Sequence, residues 1–320
     1  MKKIFIANNV YSLLLILLKT SVNENIFIFS KNDFSKNIIV ELKKRAEVVT
    51  LYEPKNAILK LINYYMYLKF KLHKYKKMNV EINMSCDHRM IGQYFLKNKK
   101  KYILYEEGLA IYNSGKVKNS KLKKIIGFNT GIFGKNNNVK KIYLTKLASI
   151  PKEIIDKVEI INLKKLWNKK TLEEQNEILN IFSFDLNIKE KIKGRDIILF
   201  TQPLSEDGIV TEERKIELYS KIIKRYPRER MLIKVHPREK TNYKLFFKEC
   251  LVIDGLFPFE ILNLLDVPFK KSVTIFSTAA LGLNKDIVID FYGTEIDEKI
   301  FKIFGNLDKI KKRNSFLEEK

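Results

Sequence analysis

Residues 196–235 contain the pattern that decides the fold. They read DIILFTQPLSEDG at 196–208, EERKIELYSKIIKRY at 212–226 and MLIKV at 231–235. The two apolar runs, Asp196–Phe200 and Met231–Val235, predict buried strands, and Glu212–Tyr226 between them has apolar residues at the spacing of a helix face. A strand, a helix and a second strand in this order predict two parallel strands of one sheet. Ligands of such sheets bind beyond the carboxyl ends of the strands, so the residues that follow each strand are the first candidates for function.

The same alternation extends in both directions along the chain. Towards the N-terminus, strands are predicted at Ile4–Ala7, Asn25–Phe29, Glu47–Leu51, Val80–Met84 and Tyr102–Tyr105, and helices at Tyr11–Lys19, Ser35–Arg45 and Pro54–Lys77. Towards the C-terminus, strands are predicted at Ser272–Phe276 and Ile287–Phe291, and helices at Phe259–Leu265 and Ala279–Asn284. Lys116–Lys141 is interpreted as a loop and Asn162–Lys193 as a polar helical connection. The pattern predicts an α/β protein with two Rossmann-like domains, residues 1–185 and 186–320.

Composition narrows the class of protein. The chain has 320 residues, of which 45% are hydrophobic, so two packed cores are within reach. Cys86 and Cys250 lie far apart and match no metal or redox spacing, which predicts a reducing, cytoplasmic setting without disulfides. An apolar run follows the N-terminal lysines, but Asn8 and Asn9 interrupt it and no cleavage site follows. We therefore expect a strand and a helix there rather than a signal peptide or a spanning segment.

The net charge of +24 predicts an anionic partner but does not choose it. Nucleic acid, anionic lipid and a negatively charged substrate would all be attracted to such a protein. Lysine is the commoner base, and no recognisable nucleic-acid-binding motif accompanies it. The pattern favours a generally cationic surface that suits an anionic membrane face or an anionic donor substrate.

Two clusters of acids follow predicted strands. Glu106, Glu107 and Gly108 come directly after Tyr102–Tyr105, which places at least one carboxylate at a strand end. A solvated turn is the alternative interpretation. Asp207 follows the first strand of the second half, where capping of the next helix is the alternative.

The second half also contains candidate phosphate ligands. Lys234 and His236 lie at the end of a strand, two residues apart and hence on one side of it, and Arg238 follows. Together they predict a phosphate site in which the histidine donates a proton or a hydrogen bond. Ser277 and Thr278 precede a helix start that could bind the same anion or could simply be caps. A further segment, Pro258-Phe259-Glu260, offers a carboxylate for ribose hydroxyls.

Taken together and in this order, these segments resemble the bacterial sialyltransferases, most closely glycosyltransferase family 52, which includes lipooligosaccharide sialyltransferases. The similarity covers most of the chain, from Phe5–Leu18 through the acid-acid-glycine, Gln-Pro-Leu, His-Pro, Pro-Phe-Glu and Ser/Thr motifs. The resemblance implies a GT-B fold and inverting transfer of N-acetylneuraminic acid from CMP-sialic acid, without a metal ion or other cofactor.

The resemblance also implies roles for individual residues. The residues expected to bind CMP are Lys234, His236, Pro237, Phe259, Glu260, Ser277 and Thr278. Among them His236 is the implied general acid toward the phosphate. The acceptor side is expected at Glu106, Glu107 and Gly108. For the base, family 52 implies Asp207, which the sequence favours, whereas the acid-acid-glycine motif of related families implies Glu107, which stays open as the rival.

The expected acceptor is a terminal galactose of a bacterial surface glycan such as lipooligosaccharide or capsule. An α-2,3 linkage is expected, with 2,6 and 2,8 as alternatives. We expect no nucleic-acid partner, and peripheral contact with the anionic inner membrane is compatible with the charge. The oligomeric state stays open, with a homodimer among the options. Two rival functions remain: a glycosyltransferase of the same fold with another nucleotide-sugar donor, such as a glucosyl nucleotide, and a basic protein that binds nucleic acid or a membrane surface.

Overall fold

The computed structural model describes residues 2–23, 25–31, 33–52, 59, 62, 66, 68–112, 133–185, 187–253, 257–277, 279–280 and 287–306. The chain divides into two compact units, Met1–Ser183 and Phe184–Lys320. The boundary predicted from the sequence, between residues 185 and 186, lies close to this division.

The first unit is built on a parallel sheet of seven strands in the order β3-β2-β1-β4-β5-β6-β7. Its strands are β1 Lys3–Ile6, β2 Ile26–Ser30, β3 Glu47–Leu51, β4 Glu81–Met84, β5 Tyr102–Tyr105, β6 Val139–Leu144 and β7 Val158–Ile160. Its helices are α1 Val10–Lys19, α2 Lys36–Lys43, α3 Lys69–Lys77, α4 Met90–Lys97, α5 Leu163–Asn168 and α6 Leu172–Ile181.

The second unit repeats this design on a parallel sheet of five strands in the order β10-β9-β8-β11-β12. Its strands are β8 Ile197–Phe200, β9 Met231–Lys234, β10 Leu251–Ile253, β11 Lys271–Thr274 and β12 Val288–Phe291. Its helices are α7 Ile188–Lys191, α8 Glu212–Ile223, α9 Glu260–Leu264 and α10 Glu298–Phe304. Two Rossmann-like halves were predicted, and this architecture confirms them.

The central strands are largely buried because helices cover both faces of a parallel sheet. Every residue of β2 and β8 is buried. Helix α1 is buried from Ser12 to Leu18 for the same reason. Among the described residues, no helix combines the length and the apolar character that crossing a lipid bilayer requires.

Some sequence interpretations need correction. Strand β6 begins at Val139, inside the segment interpreted as a loop. The segment was misinterpreted because the exposed Lys140 and Lys141 hide the alternation of a strand whose Val139, Ile142 and Leu144 are buried. The short strands β7 and β10 and the helix α4 were not predicted at all. The C-terminal part of the predicted helix Pro54–Lys77 is helix α3, Lys69–Lys77. Residues 53–58, 60–61, 63–65 and 67 lie outside the described residues, as does most of the predicted helix Ala279–Asn284.

Candidate active site

Each sheet reverses its strand order at one point, and the predicted clusters follow the strands at these points or the strands next to them. The reversal lies between β1 and β4 in the first unit and between β8 and β11 in the second. Loops leaving the carboxyl ends of neighbouring strands separate there, and the gap between them is the usual ligand position of such folds. The residues that follow these strands therefore define one candidate subsite in each unit.

Glu107 is held in place by two asparagines that follow β1. Asn8 donates its amide to Glu107 Oε1, and Asn9 donates to the Glu107 carbonyl at 2.9 Å. Ser85, which follows β4, donates to Asn8 Oδ1 at 2.8 Å. Asn9 also caps α1, since its side chain accepts from the Ser12 amide at 2.8 Å. The loops after β1, β4 and β5 therefore fix one carboxylate together.

The environment of Glu107 brings the pKa of its carboxyl group close to neutral pH. Burial raises the pKa of Glu107 to about 7, against the Asn8 hydrogen bond and the positive charge of Arg89, which lower it. His88 lies nearby, with Nδ1 3.7 Å from Glu107 Oε2, and Arg89 forms an ion pair with Asp33 at 2.9 Å. A carboxyl group with such a pKa can accept a proton at physiological pH.

Glu106 occupies a different environment from its neighbour. Its side chain is fully buried and accepts hydrogen bonds from the hydroxyls of Tyr11 and Tyr112 and from the amide and hydroxyl of Thr145. These four donors tie α1, the end of β5 and the end of β6 together. Glu106 is therefore a buried structural residue that holds these elements together, and Glu107 is the acid of the pair whose side chain is partly exposed. Gly108 follows with a φ of +138°, which a residue with a side chain adopts only with strain.

His236 is the best-positioned proton donor of the second unit. Its amide donates to Thr201 Oγ1 at 3.2 Å and Glu239 Oε1 at 3.1 Å, and its Nδ1 accepts from the Arg238 amide at 3.2 Å. The proton of the neutral ring therefore lies on Nε2, where it is available to a ligand. Burial, followed by the positive charges of Arg238 and Lys234, lowers the pKa of His236 to about 4. An arriving phosphate would offset those two charges and raise this pKa.

Lys234 lies below the histidine at the end of β9. Its side chain is buried, its ammonium group lies 4.6 Å from the centre of the Phe257 ring, and it donates to the Val235 carbonyl at 3.3 Å. Phe259, the residue before α9, packs edge-on against Phe200 with ring centres 5.1 Å apart. The floor of this subsite is thus aromatic and carries a buried positive charge.

A buried cluster around Lys215 supports the loop that carries His236. Lys215 is fully buried, and its ammonium lies 2.9 Å from Glu206, 3.0 Å from Glu212 and 3.6 Å from Glu239. Glu239 accepts from the hydroxyls of Thr201 and Tyr243 as well as from the His236 amide. Burial raises the pKa of Glu239, whereas for Glu206 the Lys240 amide and Lys215 outweigh burial and lower the pKa to about 2.

Replacing Lys215 with methionine is expected to destabilise the protein by about 3 kcal/mol or more, because it leaves buried carboxylates without their cation. Urea unfolding followed by circular dichroism would measure the effect. The matched control is Lys221→Met on the same helix, where the lysine is 62% exposed and pairs with Glu217. That change should cost within about 0.5 kcal/mol. Equal costs for the two variants would contradict a structural role for the cluster.

Asp207, the base implied by the resemblance, is bound to an arginine of its own unit. Arg238 forms a two-pronged ion pair with it, at 2.5 Å and 3.0 Å between the nitrogens and the carboxylate oxygens. Since Arg238 also follows His236, the pair connects the loop after β8 to the loop after β9. Both oxygens of Asp207 therefore accept from Arg238. To act as a base, Asp207 would have to break this ion pair before it could take up a proton.

The remaining predicted donor residues lie at or near the strand ends of the second unit. Ser277 follows β11 and is buried, with its amide bonded to Thr274 Oγ1 at 2.8 Å and its hydroxyl accepting from the Ala279 amide at 3.4 Å. Glu260 is the buried first residue of α9, and Pro237 is exposed. Thr278, predicted as a second phosphate hydroxyl, lies outside the described residues.

A match to a family model settles the classification. The model of glycosyltransferase family 52 matches residues 11–300. The chain belongs to glycosyltransferase family 52. It is therefore a glycosyltransferase, as the motifs at Glu107, His236 and Ser277 suggested. An uncharacterised protein of Haemophilus influenzae is 40% identical to it over 313 residues, which cover 96% of this chain and 99% of the relative.

Solved structures resemble this glycosyltransferase in fold. A 2,6-sialyltransferase of a Vibrionaceae Photobacterium species, in complex with CMP and lactose, has a TM-score of 0.62 and 13% identity, with 98% of this chain and 77% of that chain covered. The α-2,3-sialyltransferase of Photobacterium phosphoreum has a TM-score of 0.59 and 13% identity, covering 96% and 95%. A UDP-GlcNAc 2-epimerase of Methanocaldococcus jannaschii, in complex with UDP-GlcNAc and UDP, has a TM-score of 0.54 and 15% identity, covering 96% and 93%. The predicted GT-B fold is confirmed.

Several residues of this glycosyltransferase's site were missed by the sequence reasoning. Asn8 and Asn9 were interpreted only as an interruption of an apolar run, and Ser85 was not singled out. Thr201 stood at the start of the cluster that ends at Gly208 but was given no role of its own. Each of these four residues lies within three residues of the end of a strand, so inspection of every strand end would have found them. Gln202, which also follows β8, has a buried side-chain oxygen that accepts no hydrogen bond from the described residues.

Proposed function

We propose that this glycosyltransferase transfers N-acetylneuraminic acid from CMP-sialic acid to the terminal galactose of a bacterial surface glycan, with inversion at the anomeric carbon. The observation that carries the proposal is His236, held as a neutral Nε2–H donor between Lys234 and Arg238 at the end of β9. A phosphate monoester leaving group needs such donors and positive charges. Family membership and the fold of two solved sialyltransferases add support.

The leaving group is CMP, whose phosphate gains negative charge as the glycosidic bond breaks. In the proposal, His236 donates a hydrogen bond from Nε2 to a phosphate oxygen, or a proton once the bound phosphate has raised its pKa and the ring has become an imidazolium. Lys234 and Arg238 offset the charge. Ser277 and Thr278 complete the phosphate site, and Phe259 and Glu260 contact the nucleoside. The end of β11, which precedes Ser277, and the end of β9, which precedes His236, flank β8 on either side, about 10 Å apart.

For the base we propose Glu107 rather than Asp207. Glu107 has a pKa of about 7 and is fixed by Asn8 and Asn9 without a cationic partner taking both of its oxygens, whereas Asp207 shares both oxygens with Arg238. In the reaction Glu107 takes the proton from the galactose hydroxyl as that oxygen bonds to the anomeric carbon and CMP departs from the opposite face. Glu106 and Gly108 keep Glu107 in position at the acceptor side.

The donor cations and the histidine replace the divalent ion that many nucleotide-sugar enzymes use, so transfer should continue in excess EDTA. We propose an α-2,3 linkage and a cytoplasmic site of action, at the stage where nucleotide-activated sugars are used. A linkage-specific sialidase applied to the product would distinguish α-2,3 from α-2,6 and α-2,8.

The direct test is incubation with CMP-sialic acid and labelled lactose, with mass measurement of the product. A product one sialic acid heavier than lactose is expected. Hydrolysis of the donor without such a product, or no consumption of the donor with lactose or with a galactose-terminated lipooligosaccharide, would overturn the proposed reaction.

A second candidate keeps the reaction type but changes the donor. The M. jannaschii epimerase shares the fold and is in complex with UDP-GlcNAc and UDP, so the fold itself accommodates uridine nucleotides. Ligands that bind the folded state raise the melting temperature, and at equal concentration the tighter ligand raises it more. We expect CMP to raise it by several degrees, and UDP and GDP at the same concentration to raise it less. Stabilisation by UDP but not by CMP would favour the second candidate.

A further inference from the structure

Four large apolar side chains before and in α3 are exposed to solvent. Leu59 is 52% exposed, Ile62 50%, Met66 72% and Phe70 81%. They recur every three or four residues, which is the spacing of one face of a helix. We call these four residues the apolar stripe. Single exposed apolar residues are ordinary, but a regularly spaced series of this size marks a surface that is covered in use.

The apolar stripe is not the face by which this segment packs on its own unit. Leu68, Leu72 and Tyr75 have that role, since all three are buried in the core of the first unit. Their spacing of four and three residues follows a separate helical face, because Phe70 lies two residues from both Leu68 and Leu72. The segment therefore has two apolar faces, one of which is satisfied by the core.

Positive charge accompanies the apolar stripe. Lys69, Lys71, Lys74 and Lys77 are exposed on α3, and Lys74 pairs with Glu47 at 2.7 Å. The helix contains no acidic residue, and its sequence is KFKLHKYKK. An exposed apolar stripe followed by lysines is the pattern of a helix that lies in the interface of an anionic bilayer.

We propose that the apolar stripe and the lysines of α3 dock this protein on an anionic lipid bilayer. The apolar side chains enter the boundary between headgroups and acyl chains, and the lysines contact lipid phosphates. A second copy of the chain fits this surface less well, because it would bring two lysine-rich helices of a protein with a net charge of +24 together. The docking is independent of which sugar is transferred, and it would bring the enzyme to a lipid-anchored acceptor.

Flotation with vesicles tests the docking without any donor substrate. Wild-type protein is mixed with vesicles of phosphatidylcholine alone or of phosphatidylcholine with phosphatidylglycerol. It should float with the anionic vesicles, stay behind with the neutral ones and be released at high salt. The double variant Met66→Ser/Phe70→Ser should lower the partition coefficient at least about tenfold, because both side chains lose their buried area in the lipid.

Matched controls separate the apolar stripe from general effects of charge and exposure. Leu172→Ser/Leu245→Ser removes two side chains that are 73% and 67% exposed elsewhere on the surface, and should bind as the wild type does. Lys69→Gln/Lys77→Gln should weaken binding several-fold more than Lys165→Gln/Lys189→Gln, which removes the same charge from other helices. If both lysine pairs weakened vesicle binding equally, the binding would depend only on the net charge of the protein, and the proposal would be overturned.

Two further results would overturn it. One is wild-type binding to anionic vesicles by the Met66→Ser/Phe70→Ser variant. The other is a change of oligomeric state: the wild type is a dimer by light scattering, and the variant is a monomer with unchanged vesicle binding. That result would assign the apolar stripe to contact with a second copy of the chain. Transfer to soluble lactose should be unaffected by the variant. Loss of transfer in every protein tested, with docking intact, would instead count against the proposed function.

Discussion

Glu107→Gln is expected to lower turnover about a thousandfold and to leave the affinity for CMP unchanged, because it removes the proton acceptor but keeps an oxygen for Asn8. The measurement is the rate of lactose sialylation, with CMP binding followed by thermal shift. The matched control is Asp207→Asn, which removes the rival carboxylate and weakens its pair with Arg238. A larger loss of turnover in the control than in Glu107→Gln would return the role of base to Asp207.

The pH dependence gives the same prediction a second readout. Since the pKa of Glu107 is raised to about 7, the fraction of carboxylate and hence kcat/KM should rise with pH through neutrality and then level off. The folded state binds this proton more tightly than the unfolded chain, so stability is favoured below the ordinary pKa and lost as pH rises through 7. Glu107→Gln lacks that loss and should be at least as stable as the wild type at pH 8. A variant that unfolds at pH 8 would make its kinetics uninformative for Glu107, and Glu107→Asp would then be compared for the pH shift.

His236→Ala is expected to lower turnover at least about a hundredfold, because departing CMP loses its proton or hydrogen-bond donor. The fold should survive, since Glu239 accepts from the His236 amide rather than from its ring. The control is His73→Ala, at an exposed histidine of α3. Turnover is measured with saturating donor, and near-normal turnover in His236→Ala would remove this residue from the chemistry.

A spectroscopic signature accompanies the kinetic one. The pKa of His236 is lowered to about 4 by burial and by its cationic neighbours, so the ring is neutral at pH 6 in the free protein. Bound CMP brings negative charge next to the His236 ring and should raise this pKa. CMP should therefore shift the NMR titration of the imidazole toward neutral pH. Binding of CMP near pH 5 should also be accompanied by uptake of a proton. An unchanged titration would show that the phosphate does not lie beside His236.

Much of the architecture was predictable because its signals are local. Strand β5 and the start of α8 were predicted to the residue, since apolar runs with clear polar ends define them. Strands β7 and β10 have only three residues each, and their pairing with β6 and β9 is what makes them strands. No window of sequence that short contains such a signal.

The candidate site was predictable as a set of strand ends but not as a set of contacts. The resemblance to related families favoured Glu107, but the two adjacent acids themselves did not distinguish Glu106 from Glu107. The physical difference depends on Tyr11, Tyr112 and Thr145, which reach Glu106 from other elements. Lys215 looks like a surface lysine in its helix. It is buried because Glu206 and Glu239 come from the loops after β8 and β9 to surround it.

The side chain of Asn9 makes two contacts, one at the start of helix α1 and one with the residue proposed as the base. One side chain begins α1 through the Ser12 amide and also holds the main chain of Glu107. A substitution there would therefore fray a helix and displace the proton acceptor in a single step, so tolerance at this position should be lower than at an ordinary cap. Directed evolution toward new acceptors would do better to vary the loops around this asparagine than the asparagine itself.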